Sequence, residues 1–137
     1  MTNHAWAFSI EALRLALGLE RLVFINDFTA LALALPRLGG TDLEQIGGGT
    51  PQPNAPLALL GAGTGLGVSG LIPCGAGWQP LAGEGGHVSL AAGNAREAAI
   101  IAVLAARFGH VSAERALSGP GIAALHDAIR QLEGAPP

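Results

Sequence analysis

Hydrophobic residues recur three or four positions apart in four stretches of the chain, which is the spacing of one face of an α-helix. Three of these stretches also have a residue typical of a helix end: Ser9 opens the first, Pro36 stops the second and Asn94 precedes the third. The pattern therefore predicts four helices. They cover residues 9–18, 28–35, 95–109 and 119–134.

A second pattern, a short apolar run bounded by turn residues, indicates β-strands. The run VFI at residues 23–25 is typical of a buried strand, which would deliver Asn26 and Asp27 at its carboxyl end. Residues 57–61 and 66–72 indicate two more strands, joined as a hairpin with a glycine-rich tip. Strands and helices together predict an α/β fold.

The composition limits the partners of the protein. Of the 137 residues, half are hydrophobic and 12% are charged, which excludes a disordered chain and suggests that much of the surface contacts other protein. The formal charge is -3 and the seven basic residues are arginines without a cluster, so we expect neither nucleic acid nor a membrane as a partner. The absence of lysine also excludes a Walker A loop and a Schiff-base nucleophile.

Cysteine content and the first residues indicate the compartment. Cys74 is the single cysteine, which excludes an internal disulfide and a cysteine-based zinc site and favours a reducing cytosol. The opening MTNHAWAFSI lacks the basic and apolar regions of a signal peptide, and no apolar run approaches the ~18 to 20 residues of a membrane span. We therefore expect a soluble, cytoplasmic protein.

The segment GAGTGLGVSG, residues 61–70, is the first candidate site. Gly65, Gly67 and Gly70 have the spacing of a dinucleotide-binding fingerprint, but that fingerprint opens a helix and these residues follow a strand pattern. The turn can instead present successive backbone N–H groups and the Thr64 hydroxyl to an anion, for which phosphate is the natural ligand. The alternative is a tight hairpin whose glycines serve only to adopt positive φ.

Asn26 and Asp27 are the second candidate, because α/β proteins place ligand-contacting groups at the carboxyl ends of strands. An aspartate in a partly dry cleft can accept the proton of an attacking hydroxyl, a contribution of about 10²- to 10⁴-fold in rate. The alternative is that Asp27 only caps the helix that follows it.

Glu84 and His87, in LAGEGGHVSL, are the third candidate. The Glu-x-x-His pair of a di-iron site requires a helix, which the two intervening glycines disfavour by roughly 1 kcal/mol each. No serine or cysteine lies in a nucleophile motif, so polar recognition of a ligand with several hydroxyls is favoured. The alternative is structural, with Glu84 paired to a nearby charge and His87 satisfied inside a turn.

The remaining polar candidates have weaker signals. Glu114 is typical of an acid in the first turn of a helix, where the helix dipole stabilises it. Lone histidines more often pack or hydrate than catalyse, which is the expectation for His4, His110 and His126.

Together these segments resemble the bacterial glucokinase family, which belongs to the actin/hexokinase/Hsp70-like superfamily of ATP-dependent sugar kinases. The resemblance lies in five stretches in family order: MTNHAWAFS, INDFTALALALP, LGAGTGLGVSGLI, LAGEGGHVSLA and FGHVSAERALSGPGI. Five ordered stretches are far less expected by chance than one glycine-rich loop. The zinc-containing branch of the superfamily is disfavoured, because its cysteine cluster is missing.

The resemblance implies a role for each candidate residue. Asp27 would be the catalytic base for the 6-hydroxyl of D-glucose, and Asn26 would hold neighbouring hydroxyls. The other positions that match sugar contacts of the family are Gly65, Glu84, His87 and Glu114. The positions that match its second phosphate motif are Gly63, Thr64 and Gly65. ATP and Mg²⁺ are the implied cofactors, no metal ligand is implied in the chain itself, and the full-length form of the family allows a homodimer.

The resemblance also implies which part of a kinase is present. Glucokinases begin with an Asp-x-Gly-Gly-Thr phosphate motif, which this sequence lacks, and the adenosine-binding part of the family is absent after Pro137. We therefore expect a middle section of roughly 40% of a two-domain kinase of the ribonuclease-H-like, or actin-like ATPase, fold. Residues 1–55 would end the small domain and residues 56–137 would begin the large one, with the junction near the Gly- and Pro-rich residues 39–56.

A middle section implies limited activity. Most sugar contacts would be present and half of the nucleotide site missing, so the isolated chain is expected to turn over little or no ATP. The alternatives are a non-catalytic sugar-binding or interaction fragment, and a truncated gene product that needs its missing parts to cover its core.

Overall fold

The structure is a computed structural model that describes residues 7–134, so His4 and the first six residues of MTNHAWAFS lie outside the described residues. The described part forms five α-helices and one three-stranded sheet. In chain order these are α1 (Ile10–Ala16), α2 (Asp27–Ala34), β1 (Leu57–Ala62), β2 (Leu66–Cys74), β3 (Gly77–Leu81), α3 (Ala95–Phe108), α4 (Glu114–Leu117) and α5 (Gly119–Leu132). Short 3-10 turns lie at Leu35–Arg37, Gly40–Asp42 and Gly85–His87.

All four predicted helices are present, and local side chains cap them. Ser9, Asn94 and Ser118 each accept a hydrogen bond from a backbone N–H in the first turn of α1, α3 and α5. The Glu97 carboxylate completes the start of α3 by accepting from the Gly93 N–H at 2.6 Å. Each such cap contributes about 0.5–2 kcal/mol, which explains why the helix starts follow the sequence closely.

The buried strand expected before Asn26 is absent, because residues 21–26 have no regular structure. Val23, Phe24 and Ile25 are instead 58%, 50% and 54% exposed. A strand needs a neighbour to complete its backbone hydrogen bonds, and no strand in the described part of the chain pairs with this segment. The prediction was wrong because an apolar run indicates burial without supplying a partner.

The predicted hairpin is present, and a third strand extends it. β1 and β2 pair antiparallel with Gly61 opposite Gly67, and β2 pairs antiparallel with β3. The chain turns from β2 into β3 at Gly75, whose φ of 56° favours glycine. The sequence of β3, GWQPL, is short and contains Pro80, so it has no strand pattern of its own.

Helix α2 packs on one face of the sheet and contacts all three strands. Its buried residues are Thr29 and Ala32, and Leu71 of β2 is fully buried. A separate apolar cluster joins α3 to α5. Its buried members are Leu104, Val111, Ala124 and Ala128.

The sheet with α2 and the helical part formed by α3 to α5 are joined by a short antiparallel bridge between Ser89 and Ser112. Next to it, the Leu90 N–H donates to the Val111 carbonyl at 2.9 Å, which ties the segment after β3 to the segment before α4. No helix within residues 7–134 combines the length and apolar character that a bilayer crossing requires.

Candidate functional site

The start of α2 presents two polar side chains. The Asn26 oxygen accepts hydrogen bonds from the N–H groups of Phe28 and Thr29, at 2.9 and 3.2 Å, so Asn26 is the cap of this helix. The alternative in which Asp27 is the cap is therefore wrong. Asp27 is the first residue of α2; one carboxylate oxygen accepts from the Phe28 N–H at 2.9 Å, and the other accepts no hydrogen bond from the described residues.

The ring of Phe28 fixes this helix start against the hairpin. It lies over the paired Gly61 and Gly67: a Cβ on Gly61 would stand 2.6 Å from the ring, and a Cβ on Gly67 would lie closer still. None of the glycines in residues 61–70 has positive φ. The alternative that these glycines serve positive φ is therefore wrong, and at Gly61 and Gly67 glycine is needed for space.

The predicted phosphate turn, residues 63–65, is fixed at both ends by hydrogen bonds to residues of α4 and α5. At the first residue of the turn, the Gly63 carbonyl accepts from the Gly119 N–H at the start of α5, at 2.8 Å. After the turn, the Leu66 N–H donates to Oε2 of Glu114 at 2.9 Å. The tip of the hairpin is thus fixed by two hydrogen bonds from residues distant in sequence.

Thr64 and Gly65 form the open side of this turn. Their backbone N–H groups donate to no acceptor among the described residues, and Thr64 is exposed. Adjacent N–H groups without acceptors, beside a hydroxyl, are a suitable arrangement for an oxyanion such as phosphate. The local geometry therefore fits the ligand class expected from the sequence.

The segment containing Glu84 and His87 folds into the 3-10 turn Gly85–His87, which packs on the hairpin. Gly86 is buried there, and a Cβ on Gly86 would collide with the carbonyl oxygen of Leu66. Glycine is needed at this position for close approach of two backbones. The contact brings the flanking Glu84 and His87 close to the turn at residues 63–65.

The third polar group at this space is Glu114, the first residue of α4. Oε1 of Glu114 lies 3.7 Å from Nε2 of His87, and the two side chains are 31% and 62% exposed. Glu84 makes no ion pair or side-chain hydrogen bond with the described residues. The structural alternative for Glu84, a neutralising charge nearby, is therefore wrong.

These elements enclose a cleft of about 680 Å³. All eight candidate residues line it: Asn26, Asp27, Gly63, Thr64, Gly65, Glu84, His87 and Glu114. The volume lies within the range of small-molecule sites. Four segments that are far apart in sequence therefore meet in one place, and the individual roles given to their residues stay predictions.

The cleft also has lining residues that lie in or next to the candidate segments but to which no ligand contact was assigned from the sequence. They are Phe28, Gly61, Ala62, Leu66, Gly67, Val68 and Gly83. A signal for some of them exists, because Gly61 and Gly67 lie at equal distances on either side of the hairpin tip. Paired glycines in a hairpin mark a place where another group approaches the sheet closely.

His110 and His126 lie outside the cleft. Nε2 of His110 is 2.9 Å from the Ser89 hydroxyl, and Nδ1 of His126 is 3.8 Å from a carboxylate oxygen of Asp127 on α5. Within residues 7–134, no group of three or more histidine, cysteine, aspartate or glutamate side chains could hold a metal ion.

The sequence matches a protein family along its whole length, since residues 1–137 fit the family described as glucokinase. This chain belongs to the glucokinase family. It is 71% identical over 137 residues to the glucokinase of Aromatoleum aromaticum, covering 100% of this chain and 41% of that protein. It is 62% identical over 135 residues to the glucokinase of Chromobacterium violaceum, covering 98% of this chain and 39% of that protein.

Solved glucokinase structures share the fold. A crystal structure of a glucokinase from an Antarctic psychrotroph superposes with a TM-score of 0.84 at 37% identity, over 99% of this chain and 42% of that one. A Balamuthia mandrillaris glucokinase, solved in complex with glucose, gives a TM-score of 0.54 at 24% identity over 62% of this chain and 25% of that one, which shows the fold alone. The predicted α/β sugar kinase fold and the resemblance to bacterial glucokinases are confirmed. The chain spans about two fifths of the length of these curated relatives.

Proposed function

We propose that this chain supplies the sugar-binding part and the catalytic base of a glucokinase, which transfers the γ-phosphoryl group of ATP to the 6-hydroxyl of D-glucose. The observation that carries the proposal is the convergence of eight motif residues, from four distant segments, on one cleft of about 680 Å³. Membership of the glucokinase family supports the same reaction.

Asp27 is the proposed base. Its free carboxylate oxygen would accept the proton of the sugar hydroxyl while the hydroxyl oxygen forms a bond to the γ-phosphorus. The bond from the γ-phosphorus to the bridging oxygen breaks, and ADP leaves with that electron pair. General base catalysis of this kind contributes about 10²- to 10⁴-fold. Asp27 is the first residue of α2, next to the capping residue Asn26.

The other polar side chains suit recognition of the sugar. Carboxylates accept hydrogen bonds from hydroxyls, whereas amide and imidazole groups can both donate and accept. The Asn26 side chain uses only its oxygen to cap α2, so its amide nitrogen remains without an acceptor among the described residues. We assign the sugar contacts to Asn26, Gly65, Glu84, His87 and Glu114.

The turn formed by Gly63, Thr64 and Gly65 is proposed to contact the phosphate that is transferred. The free N–H groups of Thr64 and Gly65 fit the oxygens of a phosphate, so the residues present suit ATP. Mg²⁺ prefers oxygen ligands such as nucleotide phosphates and would supply charge neutralisation when bound with ATP. The chain itself contributes positioning and preorganised donors, on which phosphoryl transfer mainly depends.

Several further assignments are part of this proposal. We assign residues 1–55 to the end of a small domain and residues 56–137 to the start of a large one. A cytoplasmic location suits the exposed thiol of Cys74, which a reducing compartment keeps free. The full-length form is proposed to be able to dimerise, as the family resemblance implies.

A second candidate function is sugar binding without catalysis by the chain alone. It is favoured by the share of the relatives that the chain spans, 41% and 39% of two glucokinases. In this case calorimetry of the isolated chain gives saturable heat with D-glucose while ADP formation stays at background. No heat with glucose at all would contradict sugar binding by the isolated chain.

The catalytic proposal is tested in a chimera in which this chain replaces the matching 41% of the Aromatoleum aromaticum glucokinase. We expect glucose-dependent ADP formation, and a loss of about 10²- to 10⁴-fold in kcat for Asp27→Asn with glucose binding retained. Asp127→Asn is the matched control, because Asp127 lies on α5 outside the cleft. Equal rates for the parent chimera and Asp27→Asn would remove Asp27 from the role of base.

A further inference from the structure

Glu114 contacts two parts of the cleft with one carboxylate. Oε2 accepts the Leu66 N–H at 2.9 Å, directly after the phosphate turn, and Oε1 lies 3.7 Å from Nε2 of His87. Leu66 and Glu114 are 48 positions apart, so the contact is a feature of the tertiary fold and not of local chain geometry. The Glu114 side chain is 31% exposed and is therefore partly shielded from water, whereas that of His87 is 62% exposed.

We infer that Glu114 is a positioning residue for the phosphate turn, beyond the sugar contact proposed for it, and this inference rests on the proposed function of the cleft. Hydrogen bonds from a backbone N–H to a carboxylate are roughly twice as strong as neutral ones. The bond to Leu66 holds the end of the turn, while the Gly119 N–H holds its beginning through the Gly63 carbonyl at 2.8 Å. The turn is therefore fixed from α4 and α5.

The glycine at position 65 is explained by the same arrangement. Gly65 does not have positive φ, so its backbone would accept another residue. A Cβ at this position, however, would stand 2.5 Å from Oε2 of Glu114. Glycine therefore leaves room for the carboxylate, and a methyl group on Gly65 would disturb the same hydrogen bond as removal of the Glu114 side chain.

The position of the turn matters for the reaction because phosphoryl transfer depends on alignment. A displacement of about 1 Å in a positioning element can reduce the rate roughly 10²-fold. Glu114 would thus affect kcat and the KM for ATP through its hydrogen bond to Leu66. It would affect the KM for glucose through the carboxylate oxygen that lies near His87. Glutamine can separate these effects, since its side-chain oxygen can still accept from the Leu66 N–H while the negative charge is lost.

The experiment compares Glu114→Gln, Glu114→Ala and Gly65→Ala in the chimera. We expect Glu114→Ala and Gly65→Ala to lower kcat roughly 10- to 100-fold, whereas Glu114→Gln keeps kcat within about threefold and raises the KM for glucose. The double variant Gly65→Ala/Glu114→Ala should be no slower than either single variant, because both remove one interaction. Glu97→Gln is the matched control, since Glu97 also accepts a backbone N–H but lies outside the cleft.

A second readout does not depend on turnover. Hydrogen exchange of the Leu66 amide should be slow in the parent chimera and in Glu114→Gln, and faster in Glu114→Ala. An inactive parent chimera would refute the proposed function, while this exchange measurement would still decide the positioning role. The inference would be overturned if Glu114→Ala changed neither kcat nor the hydrogen exchange of the Leu66 amide. It would also be overturned if Glu114→Gln lost as much kcat as Glu114→Ala while the Leu66 amide stayed protected from exchange.

Discussion

The ring of Phe28 rests on Gly67 so closely that no Cβ could lie between them. Because Asp27 precedes Phe28 at the start of α2, this contact determines where the carboxylate lies relative to the turn at residues 63–65. Helix α2 has only eight residues and would be marginal alone, so tertiary packing of this kind gives it its place. The cleft therefore depends on a contact between an aromatic residue and a strand glycine.

We expect Gly67→Ala to lower both the stability and the kcat of the chimera. The added methyl displaces the Phe28 ring, which costs about 1–3 kcal/mol as overpacking, and Asp27 moves with the ring. Urea unfolding measures the first effect and glucose-dependent ADP formation the second. Gly77→Ala in β3 is the control, because a Cβ there would stand 3.9 Å from its nearest neighbour, the Cys74 carbonyl. A Gly67→Ala protein with parental kcat would show that Asp27 is positioned in another way.

Asn26 has a capping oxygen and an amide nitrogen, and two substitutions separate them. Asn26→Ser keeps an oxygen that can cap α2, so we expect a nearly unchanged free energy of unfolding with a raised KM for glucose. Asn26→Ala also loses the cap, which costs about 0.5–2 kcal/mol of stability. Steady-state kinetics and urea unfolding of the chimera measure the two quantities.

The control for this pair is Asn94→Ser, which keeps a capping oxygen on α3 outside the cleft, although it also removes the hydrogen bond that the Asn94 amide donates to Glu97. It should leave the KM for glucose unaltered. If Asn26→Ser also leaves that KM unaltered, the amide nitrogen of Asn26 does not hold a sugar hydroxyl.

The helices could be predicted from the sequence because their signals are local. Ser9, Asn94 and Ser118 each lie next to the N–H groups that they cap, and the apolar spacing of each helix is visible within a few turns. The strand expected at residues 23–25 failed for the opposite reason. Its apolar side chains are visible in the sequence, but the backbone partner that would make it a strand is not local.

In the candidate site too, features that are visible locally in the sequence could be predicted, and contacts between distant segments could not. The cleft residues were selected from short motifs, and the structure brings all of them to one place. The contacts that assemble them were not predictable: Phe28 on Gly67, and Glu114 on the Leu66 N–H. Both join segments separated by tens of residues, and neither changes the local pattern of polar and apolar positions.

The exposed apolar segment before α2 leads to the last prediction. Val23 and Ile25 are 58% and 54% exposed here, in a chain that spans about two fifths of its relatives. We expect the rest of a full-length glucokinase to cover them, because exposed apolar patches of this kind mark contact surfaces. The double variant Val23→Thr/Ile25→Thr keeps β-branched side chains while adding hydroxyls; Val23→Thr is nearly isosteric, and Ile25→Thr also removes the terminal methyl carbon.

This double variant should have opposite effects in the two contexts. In the isolated chain it should reduce self-association, measured by light scattering during size-exclusion chromatography, since less apolar surface is presented to water. In the chimera it should lower the free energy of unfolding by about 1–3 kcal/mol for each hydroxyl that becomes buried without a partner. Ile46→Thr is the control, because Ile46 is 93% exposed in a loop and should change the chimera little. A chimera that tolerates both variants equally well would mean that the segment at residues 23–25 stays exposed in the full-length protein.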